Sequence, residues 1–276
     1  MIATPSLPTG LPPSAARVFA LRRRARFTAA GIGLVLAVMA LFSLHTVLFV
    51  DTDFSRLSGD GILRALLRFF DVDFSILPQL LAPALETVLM ATLASMLGIL
   101  LALPAIWLGA ANITPLGWIS YSTGRGLMTL SRSVHEIVWG LLFVAAVGLG
   151  ALAGVLAMAV RSVGFIAKTV AEAIEDVDPR PIEALRAAGA NPYQILLFGI
   201  IPQVIPTFLG NVIFEWDVNI RRSTIMGLVG AGGLGLALHR QMAAYNYGGI
   251  ATVFIVILLI VIAGEVISHH ARKAVI

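Results

Sequence analysis

The chain has 276 residues, of which 58% are hydrophobic and only 12% are charged. A soluble globular protein carries about 25% charged residues, so this chain has too little charge to cover a surface that faces water. The composition excludes a soluble enzyme and a disordered chain, and it predicts an all-α polytopic membrane protein, since about 20 apolar residues cross a bilayer as one helix. The net charge of +4 is expected to reflect basic cytoplasmic ends rather than nucleic-acid binding.

The N-terminal part predicts one membrane span and an outer loop. Residues 1–26 are predicted to be a cytoplasmic tail with a basic run, and the stretch from Phe27 to Val50 is about 24 residues long and uncharged. That length exceeds a typical signal sequence, so we predict an uncleaved first span with its N-terminus in the cytoplasm. Residues 27–79 comprise this span and an acidic outer loop, where the apolar spacing from Ile62 to Phe70 predicts a short interfacial helix.

Residues 80–276 are predicted to form the main transmembrane domain, with five further spans for a total of about six. The turn Gly148-Leu149-Gly150 is predicted to separate the third span from the fourth, because an apolar helical pattern continues on both sides of it. An even number of spans puts both basic ends in the cytoplasm, together with the polar stretch 172–186. The later spans are predicted at about Leu80–Ala110, Trp118–Val147, Ala151–Ile174, Ile195–Ile220 and Gly248–Ile267.

The polar loop between the fourth and fifth spans carries the most specific motif. Residues 183–202 read EALRAAGANPYQILLFGIIP, with a glycine six residues after the first glutamate and an Ile-Pro pair at the end. This pattern predicts a helix–turn–helix that protrudes from the membrane, with an Ala-rich helix over 181–188 and a left-handed cap at Gly189. A second helix is predicted from about Pro192, a residue favoured at helix starts. An ordinary cytoplasmic hairpin is the alternative.

This motif resembles the cytoplasmic signature of ABC-importer permeases. The runs RSVHEIVW at 132–139 and DVNIRRSTIMGLVGAGGLG at 217–235 add a resemblance to the phosphonate-type family, which covers roughly residues 80–272. It implies a type I (MetI-like) importer fold in the cell membrane. It also implies a homodimer that pairs with two ABC ATPase subunits and receives substrate from an extracytoplasmic binding protein. ATP and Mg would be bound by the ATPase, and this chain would hold no cofactor. The coupling loop, about 176–196, implies ATPase-coupling roles for Glu183, Ala184, Ala187, Ala188, Gly189 and Pro202.

The resemblance implies transport of phosphonate or a related phosphorus oxyanion such as phosphate or phosphite. A permease for methionine or another small polar nutrient is the alternative within the same class. An ion-coupled secondary transporter would predict inverted repeats, which the sequence does not show. A membrane-embedded enzyme would need a catalytic cluster, and the sequence offers no nucleophile–base arrangement. Lys168 lacks the glycine that precedes the lysine of a Walker A loop, so ATP is not expected to bind in that way.

Charged residues inside the spans are candidates for the substrate pathway, because charge is costly in a membrane. Arg221 is the first candidate and Arg222 the second, since a guanidinium binds oxyanions bidentately. Asp217 lies four residues before Arg221, which predicts a competing ion pair. Arg132 and Glu136 are also four apart and are predicted to form a salt bridge on one helix face. The predicted pathway residues are Arg221, Asn219, Asp217, Arg132 and Glu136.

Two further patterns complete the candidate list. Arg161 and Lys168, followed by Glu172 and Glu175, form a polar stripe on the fourth span that is predicted to face the pathway, a dimer partner or water. The absence of cysteine excludes thiolate metal sites, and no metal site is predicted. The glycine-rich segment after the fifth span is predicted to let backbones pack closely and to serve as a gate. Its glycines are Gly227, Gly230, Gly232, Gly233 and Gly235.

Overall fold

The computed structural model describes residues 13–51 and 67–275, and the chain divides into two units at residue 66. The first unit contains helix α1, Pro13–His45, which continues as a π-helical turn over Thr46–Asp51. Helix α1 begins before the predicted span, so the basic run is helical. The apolar part, Phe27–Leu48, is the predicted first span. The predicted interfacial helix falls largely on residues 52–66, which lie outside the described residues.

The second unit is a bundle of helices. Five stretches of the described chain are long and apolar enough to cross a membrane, and a bent helix pair provides a sixth. The prediction of an all-α, multi-pass membrane protein is therefore confirmed. The helices are α2 Leu77–Gly109, α3 Trp118–Ser133, α4 Glu136–Val147, α5 Ala151–Glu175, α6 Pro179–Ala187, α7 Ile201–Leu228, α8 Gly233–Ala243 and α9 Tyr247–Val275.

The predicted third span is two helices rather than one. Helices α3 and α4 meet at an angle of 91°. The backbone of His135 is extended, with a ψ of 143°, and its Nδ1 accepts the backbone N–H of Ile137 at 3.3 Å, which caps the start of α4. The break that the sequence predicts at Gly148–Gly150 is confirmed, since these glycines have φ values of +91° and +143° between α4 and α5.

Helix α5 is the centre of the bundle and packs against α2, α3, α4 and α7. Most of its buried residues are alanine or glycine. Small side chains let helix backbones approach closely in a membrane, where packing rather than the hydrophobic effect holds helices together. The approach to α2 is close enough that a Cβ on Gly98 would lie 2.5 Å from the Cβ of Ser162.

Hydrogen bonds join the helices at both ends of the bundle. At the end that carries α6, Glu175 accepts the N–H of Ala111 at 2.8 Å and a guanidinium N–H of Arg125 at 2.6 Å. At the opposite end, the N–H of Gly150 donates to the carbonyl of Gly230 at 3.0 Å. The predicted polar stripe on α5 thus ends in ion pairs with α3 at the α6 end.

Candidate functional site

Helix α6 connects the spans α5 and α7, and none of its residues is buried. Asp178 caps the first turn by accepting the backbone N–H of Arg180 at 3.0 Å. The Arg180 guanidinium also donates to both carboxylate oxygens, at 3.1 and 3.0 Å. These side-chain and backbone hydrogen bonds favour the ionised carboxylate, so they hold the pKa of Asp178 below its ordinary value.

The C-terminal end of α6 has the left-handed turn that the sequence predicts. Gly189 has a φ of +82°, a conformation that costs other residues roughly 1 kcal/mol or more. Its N–H donates to the carbonyl of Arg186, and the N–H of Ala190 donates to that of Leu185, both at 3.0 Å. This is a Schellman arrangement, which satisfies two of the last helix carbonyls. Backbone hydrogen bonds within the turn therefore fix the conformation at Gly189.

The chain then turns back towards the membrane. Asn191 and Gln194 form a capping box, with hydrogen bonds of 2.8 and 2.9 Å, that starts the helical turn Pro192–Gln194. The π-helical turn Ile195–Ile200 packs on α6, since a Cβ on Gly199 would lie 3.1 Å from the Leu185 side chain. We call residues 178–200 the α6 hairpin. Its exposed predicted coupling residues are Glu183, Ala184, Ala187, Ala188 and Gly189, and Pro202 is exposed just beyond it.

Tyr193 is a surface residue that the sequence analysis missed. It lies at the start of the returning turn and is 83% exposed. An aromatic side chain outside the apolar part of a membrane protein often contributes to protein contacts, because it offers a large apolar area with a polar tip. The motif pattern gave no signal for Tyr193, since only the fold shows that it stands on the outside of the hairpin.

A second polar region, which we call the ion network, lies between α4, α5 and α7. Arg222 Nη1 lies 2.5 Å from Glu215 Oε1, and Arg222 Nε lies 3.8 Å from Glu136 Oε1. Arg161 Nε lies 3.5 Å from Glu136 Oε2. Glu215 is fully buried, at 0% exposure. Two carboxylates and two guanidinium groups thus offset each other, as charges held away from water require. The sequence analysis missed Glu215.

Neutral polar side chains extend the ion network to α2. Ser162 donates to Glu215 at 2.9 Å. The amide of Asn219 donates to Ser162 at 2.9 Å and to Ser95 at 3.0 Å, while its oxygen accepts from Arg222 at 3.2 Å. Asn219 is fully buried between α2, α5 and α7. The predicted pathway residue Asn219 is therefore buried and hydrogen-bonded within the bundle, and its role in the pathway stays a prediction.

The predicted salt bridge between Arg132 and Glu136 is wrong. The break at residues 134 and 135 places Arg132 in the last turn of α3 and Glu136 at the first residue of α4. Glu136 pairs instead with Arg161 and Arg222. The Arg132 side chain is exposed and makes no ion pair within the described part of the chain, and its backbone carbonyl accepts from Arg161 at 2.9 Å.

The competing ion pair predicted for Arg221 is present. Its guanidinium donates to the carboxylate of Asp217, whose side chain is only 5% exposed, whereas that of Arg221 is 42% exposed. The carboxylate of Asp217 offsets the charge of the guanidinium. Arg221 therefore attracts an anion less strongly than an unpaired arginine would.

The glycine-rich segment forms the turn from α7 to α8. The N–H of Gly233 donates to Glu86 at 3.1 Å, and that of Leu234 donates to Thr87 at 2.9 Å, so α2 side chains cap α8. A Cβ on Gly235 would overlap backbone atoms of α7. Glu86 and Thr87 are a further pair that the sequence did not link to this turn. The predicted glycines in or beside it are Gly227, Gly230, Gly232, Gly233 and Gly235.

Comparison with known proteins places this geometry in context. Residues 14–275 match the family described as binding-protein-dependent transport system inner membrane component. The phosphite transport system permease protein PtxC of Stutzerimonas stutzeri is 41% identical over 201 residues, which is 73% of each chain. The putative phosphite transport system permease protein HtxC of the same organism is 35% identical, over 92% of this chain and 89% of its own length. A chain of the inward-facing MetNI methionine ABC transporter superposes with a TM-score of 0.63 at 25% identity, over 74% of this chain and 100% of its own.

Proposed function

This chain belongs to the binding-protein-dependent transport system inner membrane component family, and we propose that it imports a phosphorus oxyanion as the permease of an ABC transporter. The relatives named for phosphite are more similar to it than the solved methionine transporter is. That difference favours phosphite, phosphonate or phosphate over methionine. A secondary transporter is not supported, because the chain matches its family over almost its whole length.

The observation that carries the proposal is the α6 hairpin. It stands between two spans with no buried residue in α6, yet its caps fix its shape through local hydrogen bonds. A rigid, exposed helix of this kind suits docking into a groove of another protein and moving with it. In our proposal two ABC ATPase subunits bind ATP and Mg²⁺ and receive the α6 hairpins of two copies of this chain. An extracytoplasmic binding protein then delivers the substrate at the opposite end.

The coupling role can be tested by charge reversal on the hairpin. Glu183→Arg should reduce co-purification of the ATPase and abolish the stimulation of ATP hydrolysis by the loaded binding protein. Asp71→Arg makes the same charge change at an exposed position outside the hairpin, and it should retain the ATPase. Normal stimulation and normal uptake with Glu183→Arg would show that the hairpin does not couple the two subunits.

The proposed orientation puts the α6 hairpin and both termini in the cytoplasm, as the basic ends suggest. The native chain has no cysteine, so single cysteines report their own location. A cysteine at Arg186 should react only from the cytoplasmic side, and one at Asp71 only from the outer side. Labelling of both positions from the same side of sealed vesicles would contradict the orientation.

The proposed substrate class can be tested by uptake into proteoliposomes that hold the complete transporter. Phosphite, methylphosphonate, phosphate and methionine should be offered with the cognate binding protein in the outer solution. We expect ATP-dependent uptake of at least one phosphorus oxyanion. Uptake of methionine alone would overturn the substrate assignment and leave the permease assignment intact.

A further inference from the structure

One positive charge near the middle of the bundle has no ion-pair partner among the residues that the structure describes. The charged side chains of α3, α4 and α5, together with Glu215 and Arg222, comprise five cations and four carboxylates. All the cations except Arg132 have a carboxylate oxygen within 3.6 Å. Arg132 is exposed and is not paired within residues 13–51 and 67–275 as described. The surplus charge of this region therefore resides on Arg132.

The position of Arg132 along the membrane follows from its contact with α5. The aliphatic part of the Arg132 side chain packs against Gly164, because a Cβ on Gly164 would lie 2.7 Å from Arg132 Cγ. The preceding residue, Ser131, accepts the Gly164 N–H at 3.0 Å. Gly164 lies near the midpoint of α5, Ala151–Glu175, which at 1.5 Å per residue is about 37 Å long. Arg132 therefore projects from the middle of the spanning bundle, where an unpaired charge is costly and is by default functional.

The surroundings of Arg132 suit an anion. The 91° break between α3 and α4 ends one helix and starts another beside it. The N-terminal end of α4 adds a partial positive charge, and the only acid in its first turn, Glu136, is already paired with Arg161 and Arg222. His135 accepts the Ile137 N–H through Nδ1 at 3.3 Å, which places its exposed ring at the start of α4. Broken helices whose half-helix N-termini meet anionic groups occur at the binding sites of other transporters.

We propose that Arg132, with the exposed Ser133 and His135 at the α3–α4 break, forms an oxyanion-binding site on the transport path at mid-membrane. A guanidinium binds two oxygens of a tetrahedral phosphorus oxyanion at once. The identity of the anion rests on the proposed function. The surplus charge of Arg132 and the break between α3 and α4 are observed independently of that function. Arg221 is not this site, because Asp217 neutralises it.

The first measurement is the local electrostatic potential. Ser133→Cys is introduced into the cysteine-free chain, and the assembled transporter in lipid nanodiscs reacts with an anionic and a cationic methanethiosulfonate reagent. Adding Arg132→Gln should lower the ratio of anionic to cationic reaction rates about tenfold or more, since one charge a few ångströms away is removed. Lys273→Gln removes the same charge at the exposed C-terminal end of α9, far from the α3–α4 break, so it is the matched control and should leave the ratio within about twofold. An unchanged ratio with Arg132→Gln would overturn the proposal, because the charge would then be neutralised by another chain.

The second measurement is protection by phosphite itself. Phosphite should slow the modification of Ser133→Cys, and Arg132→Gln should remove that protection. Arg132→Lys should keep the favourable reaction-rate ratio but protect less well, because an ammonium group does not offer the bidentate geometry. A high ratio without any protection would mean an electropositive surface without a binding site, and it would overturn the assignment.

The same preparation separates this proposal from the proposed function. Protection without phosphite uptake in the native complex would refute phosphite import while the site remains. Uptake without protection would refute the site while the function remains. Loss of both would overturn both, and a native complex that shows both, each diminished by Arg132→Gln with the ATPase still bound, would support both.

Discussion

The α6 hairpin and the ion network are both polar, but they are held together in opposite ways. In the hairpin, hydrogen bonds join residues a few positions apart, such as Gly189 to Arg186. In the ion network, the hydrogen bonds join residues that are distant in sequence. Ser162 and Glu215 are 53 positions apart, and Ser162 and Asn219 are 57 positions apart. Helix α6 of the hairpin has no buried residue, whereas Glu215 is fully buried. A change in the hairpin should therefore act locally, and a change in the network should destabilise three helices together.

Removal of Glu215 should have the largest effect. Glu215→Ala removes the fully buried carboxylate that lies 2.5 Å from the partly buried Arg222 guanidinium, and breaking a buried ion pair costs about 3–5 kcal/mol. Thermal unfolding of the detergent-solubilised complex should show a large fall in Tm. Glu265→Ala, at an exposed position of α9, is the control and should change Tm little. The double variant Glu215→Ala with Arg222→Ala should be less destabilised than the sum of the single variants. Additive losses would mean that the two residues do not act as a pair.

A methyl group at Gly164 should have the next largest effect. Its Cβ would lie 2.5 Å from Ser131 Oγ and 2.9 Å from the carbonyl of Met128, so the helices must separate. Overpacking of this kind costs about 1–3 kcal/mol. Gly126→Ala on α3 is the matched control, because no atom of another described element lies within 4 Å of its Cβ. Equal Tm values for the two variants would show that α3 and α5 are not closely packed at this point.

Gly189→Ala should have a smaller and local effect. Apart from its chain neighbours, no described residue lies within 4 Å of the added Cβ, so the strain comes only from the φ of +82°, which costs an alanine about 1 kcal/mol. Hydrogen exchange should accelerate over residues 179–200, while the Tm of the bundle stays within about 1 °C of the native value. Gly126→Ala again serves as the control, since it adds the same methyl group without a positive φ. Faster exchange across the spans would contradict the local character of the hairpin.

Loss of the Asp178 cap should have the smallest effect. The pKa of this carboxyl is lower in the folded hairpin than the ordinary value near 3.9 in an unfolded chain. Its contribution is therefore fully present above pH 4 and is lost as the pH falls through the lowered pKa. Asp178→Ala should speed amide exchange in α6 at pH 7 relative to the native chain, and the two should converge once the pH falls below the lowered pKa of Asp178. A difference that persists at low pH would show that the ionised carboxylate is not the cause.

The parts that the sequence predicted correctly are those set by short-range chemistry. Long apolar runs define the spans, because any helix that crosses a bilayer must be apolar for about 20 residues. The Gly148–Gly150 break and the positive φ of Gly189 follow from glycine's freedom of backbone conformation. The prediction of the Arg132–Glu136 salt bridge was wrong because a spacing of four residues was interpreted as a side-chain contact. Arg132 and Glu136 are four residues apart, a spacing that places two side chains on one face of a continuous helix. The residues between them gave no sequence signal for the 91° bend.

The sequence by itself determined the membrane class, the order of the spans and the shape of the α6 hairpin, since hydropathy and helix capping depend on neighbours in the chain. Only the tertiary structure decided which charges are neutralised. Glu215 and Arg222 meet Glu136 and Arg161 because α4, α5 and α7 pack together, and this leaves the exposed Arg132 without an ion-pair partner among the described residues. Long-range pairing depends on helix angles and rotations, and a single amino-acid sequence read by local pattern does not specify these.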